Sequence, residues 1–238
     1  MIKEEFYIKM KNFSNSINIK ITENQIEKFY IYMNTLLEWN KKINLTAIED
    51  EDEIILKHFI DSLTIQEYIK DAKNLIDIGT GAGFPGIPIA ILNNNIDITL
   101  LDSLNKRINF LNIIIQKIKL TNVIAIHGRA EDIAKLKIYR GKYDIVTSRA
   151  VAPFNILLEY MLPFNKLNGK TISMKGSNIE EIENSSNALN KLGGEIDRVE
   201  RIFLPNTDIQ RNIVIVNKIK ETPNKYPRKA GVPKKEPL

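Results

Sequence analysis

Four glycines fall within eight residues directly behind an apolar run, in "NLIDIGTGAGFPG" (residues 74–86). A short apolar strand, a glycine loop and a proline at the first turn of a helix make one strand–turn–helix unit of an open α/β sheet. Such a loop lies at the carboxyl end of its strand, where these sheets bind ligands. Its glycines can be read two ways. Gly79, Gly81 and Gly83 behind the acidic Asp77 give G-x-G-x-G, as in loops that hold S-adenosylmethionine. Gly81, Gly83 and Gly86 spell G-x-G-x-x-G, the dinucleotide fingerprint. The glycine pattern alone does not choose between them.

The rest of the chain supports an α/β architecture. Residues 1 to about 70 read as helical, with a capping box at Thr22 and Gln25 and an apolar stripe of Ile26, Phe29, Tyr30, Met33 and Leu37. A second helical stretch runs through Ile55, Phe59, Leu63 and Tyr68. From about residue 74 strands and helices alternate. The strands are "NLIDIG", "IDITLLD", "NVIAIH", "YDIVTSR" and "GKTISMKG", and a helix is expected over "NIEEIENSSNALNKL" (178–192). The last two strands, "EIDRVERIFL" and "RNIVIVNKI", have only about six loop residues between them, so they pair antiparallel. The prediction is a Rossmann-like α/β sheet of seven strands ending in an antiparallel hairpin, the arrangement of class I methyltransferases. Three parts are expected: a helical extension (1–70), the sheet domain (71–220) and a basic tail (221–238).

Composition narrows the chemistry. The chain has 238 residues, no cysteine and two histidines, His58 and His127. Disulfides, thiolate metal sites and a cysteine nucleophile are excluded, and no metal is expected. No apolar run approaches a membrane span, and the N-terminus does not read as a signal peptide, so a cytoplasmic protein is expected. Without long heptads or cysteines, a monomer is the expected state. The net charge of +5 is carried by the segment from Lys218 onward, and the preceding residues sum to zero. A basic tail on a neutral body suits a polyanionic partner, and it would equally serve as a solvated tail.

Residues at the strand ends should converge on one rim. Asp77, Gly79, Gly81, Gly83 and Phe84 follow the first strand. Asp102 ends the second, where a carboxylate could accept ribose hydroxyls or cap the next helix. The "GRAED" turn brings Ala130 and Glu131 after the third. Arg149 closes the buried fourth strand, and Lys175 closes the fifth. Lys106 and Arg107 sit on a first helical turn, where cations oppose the helix dipole and a phosphate contact would explain them. His58 reads as a hydrogen-bonded structural histidine.

The segments "LLEWNKKINLTAI", "HFIDSL", "LIDIGTGAGFPGIPIAI", "LDSLNKRINFL", "HGRAED", "YDIVTSRAVAPF" and "YPRKAGVPKKEPL" together resemble the bacterial small-subunit rRNA methyltransferase G family, also called glucose-inhibited division protein B. The resemblance spans nearly the whole chain in order. It implies methyl transfer from S-adenosylmethionine to N7 of guanine 527 in the 16S rRNA of the 30S subunit. It also implies cofactor contacts at Gly79, Phe84, Ala130, Glu131 and Arg149, with Arg149 the candidate catalytic residue. Asp102 is added from its place on the second strand. Lys106, Arg107, Lys175, Arg228 and Lys229 are the expected RNA contacts. N7 carries a lone pair and no proton, so no general base is needed.

Overall fold

The computed structural model describes residues 1–149, 151–177 and 180–238. Two helices open the chain, α1 (Lys3–Ser16) and α2 (Glu23–Ile43). The capping box is present at the start of α2: the Thr22 hydroxyl accepts the Gln25 N–H, and the Gln25 side chain accepts the Thr22 N–H at 2.8 Å. The buried face of α2 includes Tyr32 and Leu36 besides the expected Ile26, Phe29 and Met33.

The second helical stretch is less regular than its apolar spacing predicts. It begins as α3 (Glu51–Ile54), widens into a π-helical turn (Ile55–Ile60), and closes as α4 (Asp61–Leu63) followed by a 3₁₀ turn (Gln66–Ile69). The Asp61 N–H bonds to the Leu56 and His58 carbonyls, not to that of Lys57. Such π-bulges gather at functional sites.

Seven strands follow: β1 (Asn74–Ile78), β2 (Asp97–Asp102), β3 (Val123–His127), β4 (Tyr143–Arg149), β5 (Asn165–Lys175), β6 (Gly194–Phe203) and β7 (Gln210–Lys218). Between them lie α5 (Gly86–Leu92), α6 (Asn105–Lys117), α7 (Ala130–Ile133) and α8 (Phe154–Met161). The strand order is β3-β2-β1-β4-β5-β7-β6. Strands β1 to β5 are parallel, and β7 inserts antiparallel between β5 and β6. The α/β sheet with its terminal hairpin is therefore as expected. The helix expected over 178–192 is instead two short ones, α9 (Glu180–Glu183) and α10 (Ser186–Leu192). The break falls at Ser185, whose hydroxyl and N–H both turn back to the Ile182 carbonyl. Asn178 and Ile179, in the expected first turn, and Ala150, after Arg149, lie outside the described residues. A final turn, α11 (Val232–Lys235), ends the chain.

Alternate residues of the buried strands face opposite cores. Leu75, Ile98, Leu100, Ile145, Ile172 and Ile213 join α1, α2, α5 and α6, whereas Ile76, Ile78, Leu101 and Val146 face α8. One core thus runs unbroken from Phe6 to Ile215, and the N-terminal helices form part of a sheet face. At the other end Tyr226 and Leu238 pack with α8 and α10. Packing does not break at residue 70 or 220. No helix among the described residues is long and apolar enough to cross a membrane.

Candidate active site

The chain departs from β1 toward β2 and from β4 toward β5, on opposite sides. The connections leaving the carboxyl ends of these neighbouring strands therefore diverge, which opens a crevice at the switch point. Two adjoining cavities of about 440 and 460 Å³ occupy it and share Gly79, Asp102, Ser103 and Val151. The first is walled by the glycine loop, Leu45, Thr46, His58, Phe84 and Arg149. The second is walled by Gly128, Arg129, Ala130, Glu131, Tyr160 and Lys234. Two larger grooves lie elsewhere, one near the amino ends of β1 and β4 and one beside Phe203.

The glycine loop is fastened from below and open above. Gly79 and Thr80 donate to the Leu101 carbonyl, which ties the loop to β2. Asp77, fully buried, accepts the Thr80 hydroxyl at 2.7 Å and the Gly86 N–H at 2.9 Å on one oxygen. Its other oxygen is buried with no partner. Burial therefore pushes its carboxyl up to about 6, against the pull of those two hydrogen bonds. Gly81 has φ +62°, and a Cβ placed there would meet nothing closer than the Gly79 carbonyl at 4.0 Å. Its φ favours glycine, and its missing side chain leaves room for a ligand against the backbone. The Tyr32 hydroxyl of α2 donates to the Ala82 carbonyl at 2.5 Å, a clamp from the N-terminal helices onto the loop.

Asp102, only 2% exposed, reaches both cavities. Its carboxylate accepts the Gly81 N–H (2.9 Å), the Leu104 N–H (2.9 Å) and the Arg107 guanidinium (3.2 Å). Of roughly four acceptor sites on a carboxylate, one remains for a ligand hydroxyl. Asp102 thus orders the loop and the start of α6 as well as lining the crevice.

Arg149 leaves β4 and turns under the π-helical turn. Its guanidinium donates to the Lys57 carbonyl (3.0 Å), the Asp61 carboxylate (3.1 Å) and His58 Nδ1 (3.1 Å). Its Cζ lies 5.0 Å from the centre of the Phe84 ring. Burial lowers its pKa while Asp61 and Asp77 oppose the shift, and an arginine remains charged. Arg211 of β7 shares the same Asp61 oxygen at 3.2 Å.

His58 stacks on Phe84 at 4.4 Å and 17°. With Nδ1 accepting from Arg149, the ring proton belongs on Nε2, which meets the Thr46 hydroxyl at 2.8 Å. Burial, reinforced by Arg149, pushes its pKa down to about 3. His58 is hydrogen-bonded as expected and also lines the crevice, as sequence reading did not foresee. Thr46 and Leu45 are held there by Asn40, whose Oδ1 accepts both their N–H groups.

The basic residues divide differently from the expectation. Lys106 and Lys229 are exposed, and Arg107 is partly engaged by Asp102. Lys175 is buried, bonded to the Ala152 carbonyl and the Glu181 carboxylate. Arg228 is forked onto the buried Glu159 at 2.6–3.1 Å. Neither is free for a phosphate, because each already neutralises a carboxylate of its own chain. Glu131 lines the second cavity, its Oε1 accepting the Gly231 N–H at 3.2 Å.

Residues 25–214 match the family model described as "rRNA small subunit methyltransferase G". The chain is 51% identical to the ribosomal RNA small subunit methyltransferase G of Clostridium botulinum over 237 residues, covering 98% of this chain and 99% of that protein. It is 51% identical to the protein of that name from Acetivibrio thermocellus over 227 residues, covering 94% and 93%. Its fold is similar to a SAM-dependent methyltransferase structure from Aquifex aeolicus, with a TM-score of 0.54, 17% identity, and 73% and 96% of the two chains covered.

Proposed function

Because the chain belongs to the rRNA small subunit methyltransferase G family, we propose that this S-adenosylmethionine-dependent rRNA methyltransferase places its methyl group on N7 of guanine 527 of the 16S rRNA. The observation that carries the choice of N7 is the lack of a free base among the described residues at the first cavity. His58 has both ring nitrogens engaged and a pKa pushed down to about 3. Asp77 lies beneath the loop, Asp61 is held by two arginines, and Asp102 accepts three donors. An exocyclic amine must lose a proton on methylation. N7 has none to lose and offers its lone pair directly.

The residues fit the cofactor. The cradle at Gly81 is open where a side chain would stand, and the crevice has two lobes joined at Asp102. Gly79, Gly81 and Phe84 would hold the donor from the loop side, with Asp102 at the junction and Ala130 and Glu131 in the second lobe, whereas Asp77 and Gly83, expected among the contacts, line neither cavity and would shape the loop from behind. The bound cofactor supplies an electrophilic methyl group on a sulfonium. The chain's own contribution is alignment of donor and acceptor, worth about 7–11 kcal/mol at best. Arg149, the proposed catalytic residue, is 14% exposed and fixed by three partners. A cation donating to N7 would block its lone pair, so Arg149 acts on guanine O6, a phosphate or the cofactor carboxylate. In an RNA duplex N7 lies in the deep groove, so the target base is unpaired or swung out of its stack. Lys106, Arg107 and Lys229 are the proposed phosphate contacts, and the protein works in the cytoplasm, where ribosomal subunits mature.

The test is methyl transfer from labelled cofactor to 30S subunits, or their 16S rRNA, taken from cells lacking the modification. Label recovered as 7-methylguanosine at position 527, and lost in Arg149→Ala, is the expected result. Label in another nucleoside or at another position would overturn the N7 assignment. A fully active Arg149→Ala would remove its role.

A further inference from the structure

The C-terminal segment, basic in sequence, is clamped to the body on its inner side. Arg140 donates to the carbonyls of Thr222 (2.8 Å), Pro223 (3.2 Å) and Tyr226 (2.9 Å). Two residues on, Arg228 meets Glu159 through its backbone N–H (2.8 Å), Nε and Nη2. The Gly231 N–H then reaches Glu131, and Lys234 stands in the wall of the second lobe. The next residue of α8 after Glu159 is Tyr160, which lines the same lobe.

Glu159 sets the strength of this arrangement. Its side chain is 1% exposed, and a carboxylate buried that deeply must be paired. Arg228 is the partner, in a forked, charge-assisted contact. Undocking the segment would leave Glu159 buried and unpaired. The latch holds residues 229–234 against the second lobe, where Glu131 is bonded to them.

We propose that residues 226–235 are a latched wall of the cofactor site, with Arg228 and Glu159 as positioning residues that do not touch the cofactor. This rests on reading the two-lobed crevice as the S-adenosylmethionine site. Releasing the latch weakens cofactor binding, and by reciprocity the bound cofactor holds the segment down. Lys229 and Lys235 are exposed on this segment, so the wall of the cofactor lobe also presents cations outward.

The experiment is calorimetric titration of the full chain with S-adenosylhomocysteine, the demethylated product, which allows no turnover. It compares wild type with Arg228→Ala, Arg228→Lys and the double variant E159L/R228L. The double variant removes both charges, so no orphan carboxylate threatens its folding. Arg228→Ala and the double variant are expected to bind about tenfold more weakly, within the usual range for coupled sites, and Arg228→Lys less so. In methyl transfer the KM for the cofactor rises while kcat at saturating cofactor holds. In wild type the product slows hydrogen exchange at the amides of residues 228–232, 234 and 235. Wild-type affinity in the folded double variant, or exchange in this segment that ignores the product, would overturn the latch. A wild type that binds no product would overturn the reading of the crevice instead.

Discussion

Two buried groups in the site shift their pKa values in opposite directions, and their effects on stability should nearly cancel. His58 ordinarily titrates at 6.5 and is pushed down to about 3 in the fold. Between those values the unfolded chain binds a proton that the native state does not, so acidification removes stability. The full slope is about 1.4 kcal/mol per pH unit, reached below the unfolded value, so the loss from pH 6.5 to 4.5 is roughly 2 kcal/mol. Asp77 moves from 3.8 up to about 6. Here the native state holds the proton, so its contribution is full below 3.8 and is lost as pH rises through 6, with the same slope. From about pH 4 to 6 the two oppose each other. The assay is urea unfolding across that range, read by fluorescence of the single tryptophan, Trp39. Differences between wild type and each variant isolate one group from the other titrating side chains. Wild-type stability minus that of His58→Gln should fall by roughly 2 kcal/mol from pH 6.5 to 4.5. Wild type minus Asp77→Asn should rise by a similar amount from pH 6 to 4. A flat difference for either variant, or a slope of the wrong sign, would refute the assigned burial and partners of that group.

Tyr32→Phe keeps the ring against Phe59 and Phe84 but leaves the Ala82 carbonyl without its donor. It should cost about 1–3 kcal/mol and lower Tm by a few degrees per kcal/mol; an unchanged melting curve would show the clamp contributes nothing. Glycine substitutions should separate binding from stability. Gly81→Ala meets no atom closer than 4.0 Å and carries only the left-handed backbone cost of about 1–2 kcal/mol, yet it should abolish product binding. Gly86→Ala would drive its Cβ into the buried Leu100 side chain and should instead lower stability more than Gly81→Ala does, as thermal unfolding of the two variants would show.

What the sequence made legible followed from local patterns. The alternation of apolar runs and helical stripes, with the short connection before β7, led to the parallel sheet and its hairpin because each rests on neighbours along the chain. Gly79, Phe84, Asp102 and Arg149 stand at the crevice because strand ends converge there, whereas Lys175, at the end of its own strand, turns to Ala152 and Glu181. Asp61 and Tyr32 were beyond reach for the opposite reason. Nothing near Asp61 in sequence announces Arg149 and Arg211, which are 88 and 150 residues away. Tyr32 lay outside the apolar spacing taken as the α2 stripe, though the fold buries it completely. A charge count also cannot tell a solvated cation from a paired one. Lys229 and Arg228 are adjacent, yet one is exposed and the other sits on a buried carboxylate 69 residues away.

These long-range contacts share a direction. Tyr32 fastens the glycine loop, His58 stacks on Phe84, and the Lys57 carbonyl and Asp61 carboxylate hold Arg149. Each joins the first 63 residues to a residue at a strand end. The π-helical turn is the geometric condition for one of them: the Asp61 N–H passes over the Lys57 carbonyl, and the Arg149 guanidinium binds it. A regular helix would direct that N–H at Lys57. The N-terminal helices therefore do more than cover a sheet face. The strand ends supply the loop and the arginine, and the helices fix where both point. The same helices bring Leu45, Thr46 and His58 to the crevice, so the wall nearest Arg149 is built from residues outside the sheet.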